Sequence, residues 1–459
     1  MDFTYCEFPS TVSIDTFQAY FNPKDVKLPK VNSKSLNQIQ TEPTSECQVN
    51  EAKSLRHLVL DAIVSNWSEL PLYRRLRRRE DRNYILSQLD TQLPLQLLSS
   101  HIRDDFFWRR CYELRWRLAP LQARGMERRW INIYMERHVQ EFIENMQTGD
   151  YEQDGNVQTA LDICAAYINQ LEINLLQPAP SDSESNDHIP LDYLLSNLPD
   201  LRRLRLSYST KTAGINYQKG CNQLTTRDIL LLAKGLSQCH ELRKFCLHNT
   251  KLAAYQLKFL AHSLDKGCHH LKELSLLHCA VGDAGIRSFL ETCGKESFST
   301  LTVLDLTNNK ITEEGAYTLS CTLRHVPLQR LVLRLNPIQS DGAAAIFHTL
   351  QVMPIRELNL GSCGISETIT KLFMMLICQH KTLYNIDLSN NCLGEDFGKH
   401  LLKVIHCNKI LEELDLRNTG LSLGMRRKFR EFLLKNAERK RHEAFKQQQR
   451  NKFKAIVKI

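Results

Sequence analysis

Side chains able to do chemistry are plentiful in this 459-residue chain, yet their spacing does not assemble a reaction centre. His442-Glu443 opens like a zinc-protease helix, in which a second histidine one turn on completes the metal site and the glutamate activates water. Lys446 stands where that histidine belongs. Gly294-Lys295 lacks the upstream glycine that would cradle a phosphate. The 16 histidines fall at no metal-ligand interval, and the 15 cysteines include no C-x-x-C pair. No catalytic residue, cofactor or metal site is expected, and the chain reads as a non-enzyme. What the spacing does offer is charge on a surface. Arg243, Lys244, Arg330, Arg334, Arg356, Tyr384, Asp387, Glu412 and Asp415 lie between leucines in short runs, where alternation turns them away from a core. These nine are the candidate partner-binding residues. Mixed charge with little apolar surface suits a protein partner, not nucleic acid or membrane.

The leucines that position these residues recur. Leu301, Leu304 and Leu306 are followed by Asn309 and Ile311; Leu328, Leu331 and Leu333 by Asn336 and Ile338; Leu383, Ile386 and Leu388 by Asn391 and Leu393. The same L-x-x-L-x-L-x-x-N/C-x-L pattern starts at Leu242, Leu271, Ile355 and Leu411, with a degenerate copy at Leu201. Successive starts from Leu242 are separated by 29, 30, 27, 27, 28 and 28 residues, room for a strand, a turn and a full helix. The helix shows in Ala343, Ile346, Phe347 and Leu350. One unit cannot bury its leucines alone, so the units must stack. The expected fold is α/β, a leucine-rich-repeat solenoid of the ribonuclease-inhibitor kind, preceded by a small α-helical domain. Asn, Thr or Cys after each strand is expected to bond loop backbone that would otherwise be buried unpaired.

The net charge of +9 is local. From Met425 to Ile459 there are 13 basic and 3 acidic residues, a net +10, so the rest of the chain is close to neutral. No apolar run approaches the ~20 residues of a membrane span. Met1 to Ser10 lacks the basic-then-apolar layout of a signal peptide, and free thiols in a reducing compartment are expected. Asn66-Trp67-Ser68 matches a glycosylation sequon, which matters only in a secreted chain.

Five segments follow. Residues 1–50 are polar, interrupted by Pro9, Pro23, Pro29 and Pro43, and read as a disordered or extended arm. Residues 51–177 read as a helical, aromatic-rich domain: Leu55, Leu58, Val59, Ala62 and Ile63 keep helical spacing, as do Ile131, Tyr134, Met135, His138, Val139 and Phe142. All four tryptophans fall here, and Tyr73–Arg79, rich in arginine, is expected to be a solvated helix face. Residues 178–190 read as an acidic linker, 191–424 as the repeats, and 425–459 as a basic helical tail that caps the stack and frays beyond Arg439.

Asp104-Asp105-Phe106-Phe107-Trp108-Arg109-Arg110-Cys111 with Arg115-Trp116, then Glu136-Arg137-His138, resembles the helical region of the dynein regulatory complex subunit 5 family. The Gly214-Ile215-Asn216-Tyr217 insertion, which stretches the first repeat step to 41 residues, is similar to one in that family. The resemblance implies a non-enzymatic subunit of the nexin-dynein regulatory complex, in the axonemal cytoskeleton of motile cilia or sperm flagella. There it would bind other subunits of the complex and help restrain doublet sliding. The basic tail is expected to meet acidic tubulin electrostatically. The competing reading is a Ran-type GTPase activator with repeats of the same length, which leaves the aromatic domain unexplained.

Overall fold

In a computed structural model of the protein, each leucine triplet becomes a short strand, and the strands stack in chain order. The structure describes residues 53–69, 71–117, 128–146, 156–176, 187–208, 224–292 and 299–456. The expected arm 1–50, most of the acidic linker, the insertion at 211–217 and Gly294-Lys295 lie outside them. Two compact units are present, Met1–Ser65 and Asn66–Ile459. In the first, residues 53–65 are described, with the helix Leu55–Ser65.

The second unit carries one parallel sheet of nine strands in sequential order. They are β1 (Gln170–Ile173), β2 (Arg203–Ser207), β3 (Lys244–His248), β4 (Glu273–Leu277), β5 (Val303–Asp305), β6 (Arg330–Val332), β7 (Glu357–Asn359), β8 (Asn385–Asp387) and β9 (Glu413–Asp415). Register is set by the leucines: Leu204 pairs with Phe245, Phe245 with Leu274, and Leu304 with Leu331. One face of the sheet is sealed by the repeat helices, among them Ala254–Gly267, Glu313–Leu323 and Gln339–Leu350. Leu274, Leu331, Leu358 and Ile386 lie beneath them with at most 2% exposure. Close stacking of those helices needs small residues. At Gly342 a Cβ would sit 2.6 Å from an Ile338 methyl and 3.1 Å from the Glu313 backbone.

From β3 onward the chain turns sharply one to three residues past each strand. Asn249, His278, Asn308, Leu335, Ser362, Asn390 and Asn418 all adopt positive φ, between 53° and 60°. Asparagine recurs there because it tolerates the left-handed region. The next residue points inward and ties repeats together. Asn336 Oδ1 accepts the N–H groups of Asn309 (2.8 Å) and Ile311 (3.1 Å), while its Nδ2 donates to the carbonyls of Leu306 (2.9 Å) and Leu333 (2.8 Å). Asn391 does the same for Cys363 and Ile365. Where cysteine takes the place, Cys279 and Cys363 thiols donate to the carbonyls of Leu247 and Leu333. Burial pushes both thiols up to about 12, so they stay protonated donors.

A parallel sheet in water exposes two unpaired edges, and both are covered here. At β1 the cover is the helix Trp130–Asn145. Its Glu136 accepts the N–H groups of Asn169 (3.2 Å) and Gln170 (3.0 Å), and Glu144 accepts that of Asn174 (2.8 Å). Burial raises the Glu136 carboxyl above its usual range, although Arg128 and the backbone donors pull the other way. Helix Asp105–Trp116, capped by Asp104, packs on this one through the aromatic patch. Trp108 and Tyr134 rings lie 5.1 Å apart and Trp116 and Tyr134 5.2 Å apart, while the Trp108 indole donates to the Ile102 carbonyl at 2.9 Å. At β9 the cover is the helix Leu423–Ile456. It buries Phe429 and Leu433, and Asn436 donates to the carbonyls of Asn408 (3.0 Å) and Leu411 (2.9 Å).

Three expectations change. Helix continues past Arg439 to Ile456, since Lys, Arg, Gln, Glu and Ala all favour it. The sheet starts at β1, inside the stretch expected to be helical. Tyr73–Arg79 is not one helix face: Tyr73–Arg75 forms a single 3₁₀ turn, a helix begins only at Arg79, and Arg74 donates to the Ser100 carbonyl at 2.8 Å.

Candidate functional site

Parallel sheets ordinarily have helices on both faces. Among the described residues this one has its repeat helices on one, so every second residue of every strand faces away from the core they cover. The third residue of each strand runs Glu172, Arg205, Cys246, Ser275, Asp305, Val332, Asn359, Asp387 and Asp415 from β1 to β9. The first residue, two before it and on the same face, runs Gln170, Arg203, Lys244, Glu273, Val303, Arg330, Glu357, Asn385 and Glu413. Charge is unevenly shared: β2 and β3 bring arginine and lysine, whereas β7 to β9 bring four carboxylates.

Neighbouring strands answer one another across this face. Arg205 meets Glu172 at 3.6 Å, Arg330 meets Glu357 at 3.3 Å, and Lys244 pairs with Glu273. Such exposed pairs contribute ~0–1 kcal/mol each, so they arrange the surface more than they stabilise it. Carboxylates at the third position also close the turn that follows. Asp305, Asp387 and Asp415 accept the N–H of Thr307, Ser389 and Arg417 at 2.9–3.0 Å. Burial works against the charge of Asp415, but Arg417 and that N–H hold its carboxyl below the usual range.

The nine candidate residues separate into two sets. Lys244, Arg330, Arg334, Asp387 and Asp415 stand on the open face, Arg334 just past its strand. Arg243, Arg356, Tyr384 and Glu412 do not; each precedes its strand by one residue and stands on the rim. That rim is a continuous row. The N–H of Arg243 donates to Arg202, that of Tyr384 to Arg356 and that of Glu412 to Tyr384, at 2.8–3.0 Å. Two rim residues are engaged within the chain. The Lys440 ammonium lies 4.6 Å from the Tyr384 ring centre and pairs with Glu412, while the Tyr384 hydroxyl donates to Glu357 at 2.6 Å. That bond to Glu357, foremost, raises the Tyr384 hydroxyl.

Sequence reasoning passed over Arg202, Arg203 and Arg205, which sit in the degenerate copy at Leu201. It also passed over β1, although Ile168, Leu171 and Ile173 carry the opening spacing of the repeat. His248 and His278 come within 5.4 Å, ring edge to face. Burial, with Arg205 and His278 adding to it, lowers the His248 ring. Among the described residues no cluster of His, Cys, Asp and Glu able to hold a metal is found. The cysteines described are free thiols, and no described helix is long and apolar enough to cross a membrane.

A family profile described as Leucine Rich repeat matches residues 267–290, 299–320 and 325–347. The chain is similar to dynein regulatory complex subunit 5 of Mus musculus, with 30% identity over 256 residues, 51% of this chain and 50% of that protein. For the Homo sapiens protein of that name the figures are 29% over 280 residues, 56% and 54%. For that of Chlamydomonas reinhardtii they are 26% over 201 residues, 43% and 48%. The chain thus spans about half the length of the curated relatives it matches.

Proposed function

We propose that this chain is a non-enzymatic scaffold subunit of the dynein regulatory complex, held in the axoneme of motile cilia or sperm flagella. There it helps link doublet microtubules and regulate dynein-driven bending. The observation that carries the reading is the similarity to proteins named dynein regulatory complex subunit 5 from mammals and from Chlamydomonas reinhardtii. The fold supports it: one parallel sheet with an open polar face and both edges covered is a surface for holding partners. Its partners are other subunits of the complex, met through Lys244, Arg330, Arg334, Asp387 and Asp415 on the face and Arg243 and Arg356 on the rim.

The exposed basic residues Arg439, Lys440 and Arg441 begin the part of the last helix that we assign to tubulin, an attraction that weakens with salt. The decisive experiment is a tagged copy expressed in a ciliated or sperm-forming cell. Co-fractionation with axonemes is the expected result, and a diffuse protein absent from axonemes refutes the reading. Stimulated GTP hydrolysis by the purified chain would favour the GTPase-activator alternative. Deleting 439–459 tests the tubulin contact: axonemal retention should become less salt-sensitive, and an unchanged salt series refutes that part.

A further inference from the structure

We propose that the recess at the start of strands β1 to β4 is a docking site for an extended acidic polypeptide segment. It has a volume of about 850 Å³ and lies between the start of helix Trp130–Asn145 and the strand rims. On the strand side, Arg202, Arg243 and Lys272 occupy the rim row. The Arg243 N–H donates to the Arg202 carbonyl at 2.9 Å and the Lys272 N–H to the Arg243 carbonyl at 2.8 Å. Positive charge therefore recurs at the strand spacing of ~4.8 Å. Arg203 and Lys244, paired in register, form a second tier. Arg128 and Arg129 make the facing wall, and no carboxylate is among the lining residues.

Some of this charge is answered within the chain. Arg128 pairs with Glu136 and Lys244 with Glu273, while Arg129 and Arg243 have Asp105 and Glu241 only at 4.0 Å. Arg202, Arg203 and Lys272 have no ion pair among the described residues. Like charges gathered in a partly walled recess raise the local potential and draw an anion. A row of cations suits a row of carboxylates better than one compact anion: an extended chain advances ~3.3 Å per residue, so alternate or adjacent acidic side chains can meet successive strands. Asn169 and Gln170 add side-chain amides able to bond a peptide backbone. No aromatic ring among the lining residues offers a base a stacking platform, which argues against single-stranded nucleic acid.

The inference rests on the scaffold reading and names the chemistry of one partner. The probe is a fluorescein-labelled oligoglutamate of about ten residues, long enough at ~3.3 Å per residue to cross the recess. Binding to the full chain is read by anisotropy at rising salt, beside an oligothymidylate of equal charge. The expected result is salt-sensitive binding of the peptide, weakened at least about tenfold in Arg202→Glu/Lys272→Glu. Both side chains are exposed, so an unchanged melting curve would show that the fold is intact. A tail-deleted chain lacking 439–459 should retain the binding, which separates the recess from the basic helix. Equal affinity in wild type and the double variant overturns the proposal, as does tighter binding of the oligothymidylate. If the peptide fails while the tagged chain still enters axonemes, the recess assignment falls and the scaffold reading stands.

Discussion

Replacing Asn336 by alanine should cost more than its modest size suggests. The side chain holds two N–H groups, of Asn309 and Ile311, for which no other partner is seen among the described residues. It also satisfies the Leu306 carbonyl, while the Leu333 carbonyl keeps the Cys363 thiol. Alanine therefore strands two donors and one acceptor in a fully buried site. At ~1–3 kcal/mol for each stranded group, with some relief if water enters, the loss is about 3–6 kcal/mol. Asn336→Cys should lose less, because a thiol there can bond the Leu306 carbonyl as Cys363 bonds that of Leu333. Urea denaturation followed by circular dichroism gives the ranking wild type, Cys, Ala. Hydrogen exchange should speed up at Asn309 and Ile311 first, while helix Trp130–Asn145 is spared, since stacked repeats couple mainly to neighbours. A loss below ~1 kcal/mol for alanine, or equal losses for both variants, would refute the reasoning.

Leu335 holds positive φ where four other repeats use asparagine, and 41% of it is exposed. Leu335→Asn should raise stability by about 1 kcal/mol, seen as a higher urea midpoint. Phe429→Ala should cost ~3–5 kcal/mol and speed exchange in β9, because the side chain that seats the last helix is buried; unchanged exchange there would count against the capping role. Asp228 is buried against His188 at 2.8 Å. Burial opposes its charge, but the His188 bond wins and holds the carboxyl below its usual range. Its contribution is thus present above the unfolded value near ~4 and is lost as pH falls through the lower folded value. Asp228→Asn should flatten that acid limb of the melting temperature, and a limb of unchanged steepness would exclude Asp228 as its source. Arg334→Glu should leave the melting curve unaltered, because the side chain is exposed on the open face, while weakening capture of dynein regulatory complex subunits.

The repeat strands were legible because leucines at fixed intervals have no other economical use. Asn336 and Asn391 were legible as backbone partners for the same reason: an inward polar residue must bond something. Strand β1 hid because 33 residues separate Ile168 from Leu201, outside the period of the clear copies. The surface residues were harder. Alternation tells which way a side chain points only once the strand's first residue is known, and the opening leucine of each repeat precedes it. Arg243, Arg356, Tyr384 and Glu412 therefore looked like face residues and stand on the rim. That Lys440 reaches Tyr384 and Glu412 depends on how the last helix docks, which no local pattern encodes.

Covering both outer strands has a consequence for stoichiometry. Glu136 and Glu144 occupy backbone donors at one end, and the helix bearing Phe429 lies across the other. A further copy would have to displace those carboxylates or that helix before it could extend the sheet, so the covered edges disfavour growth into a filament.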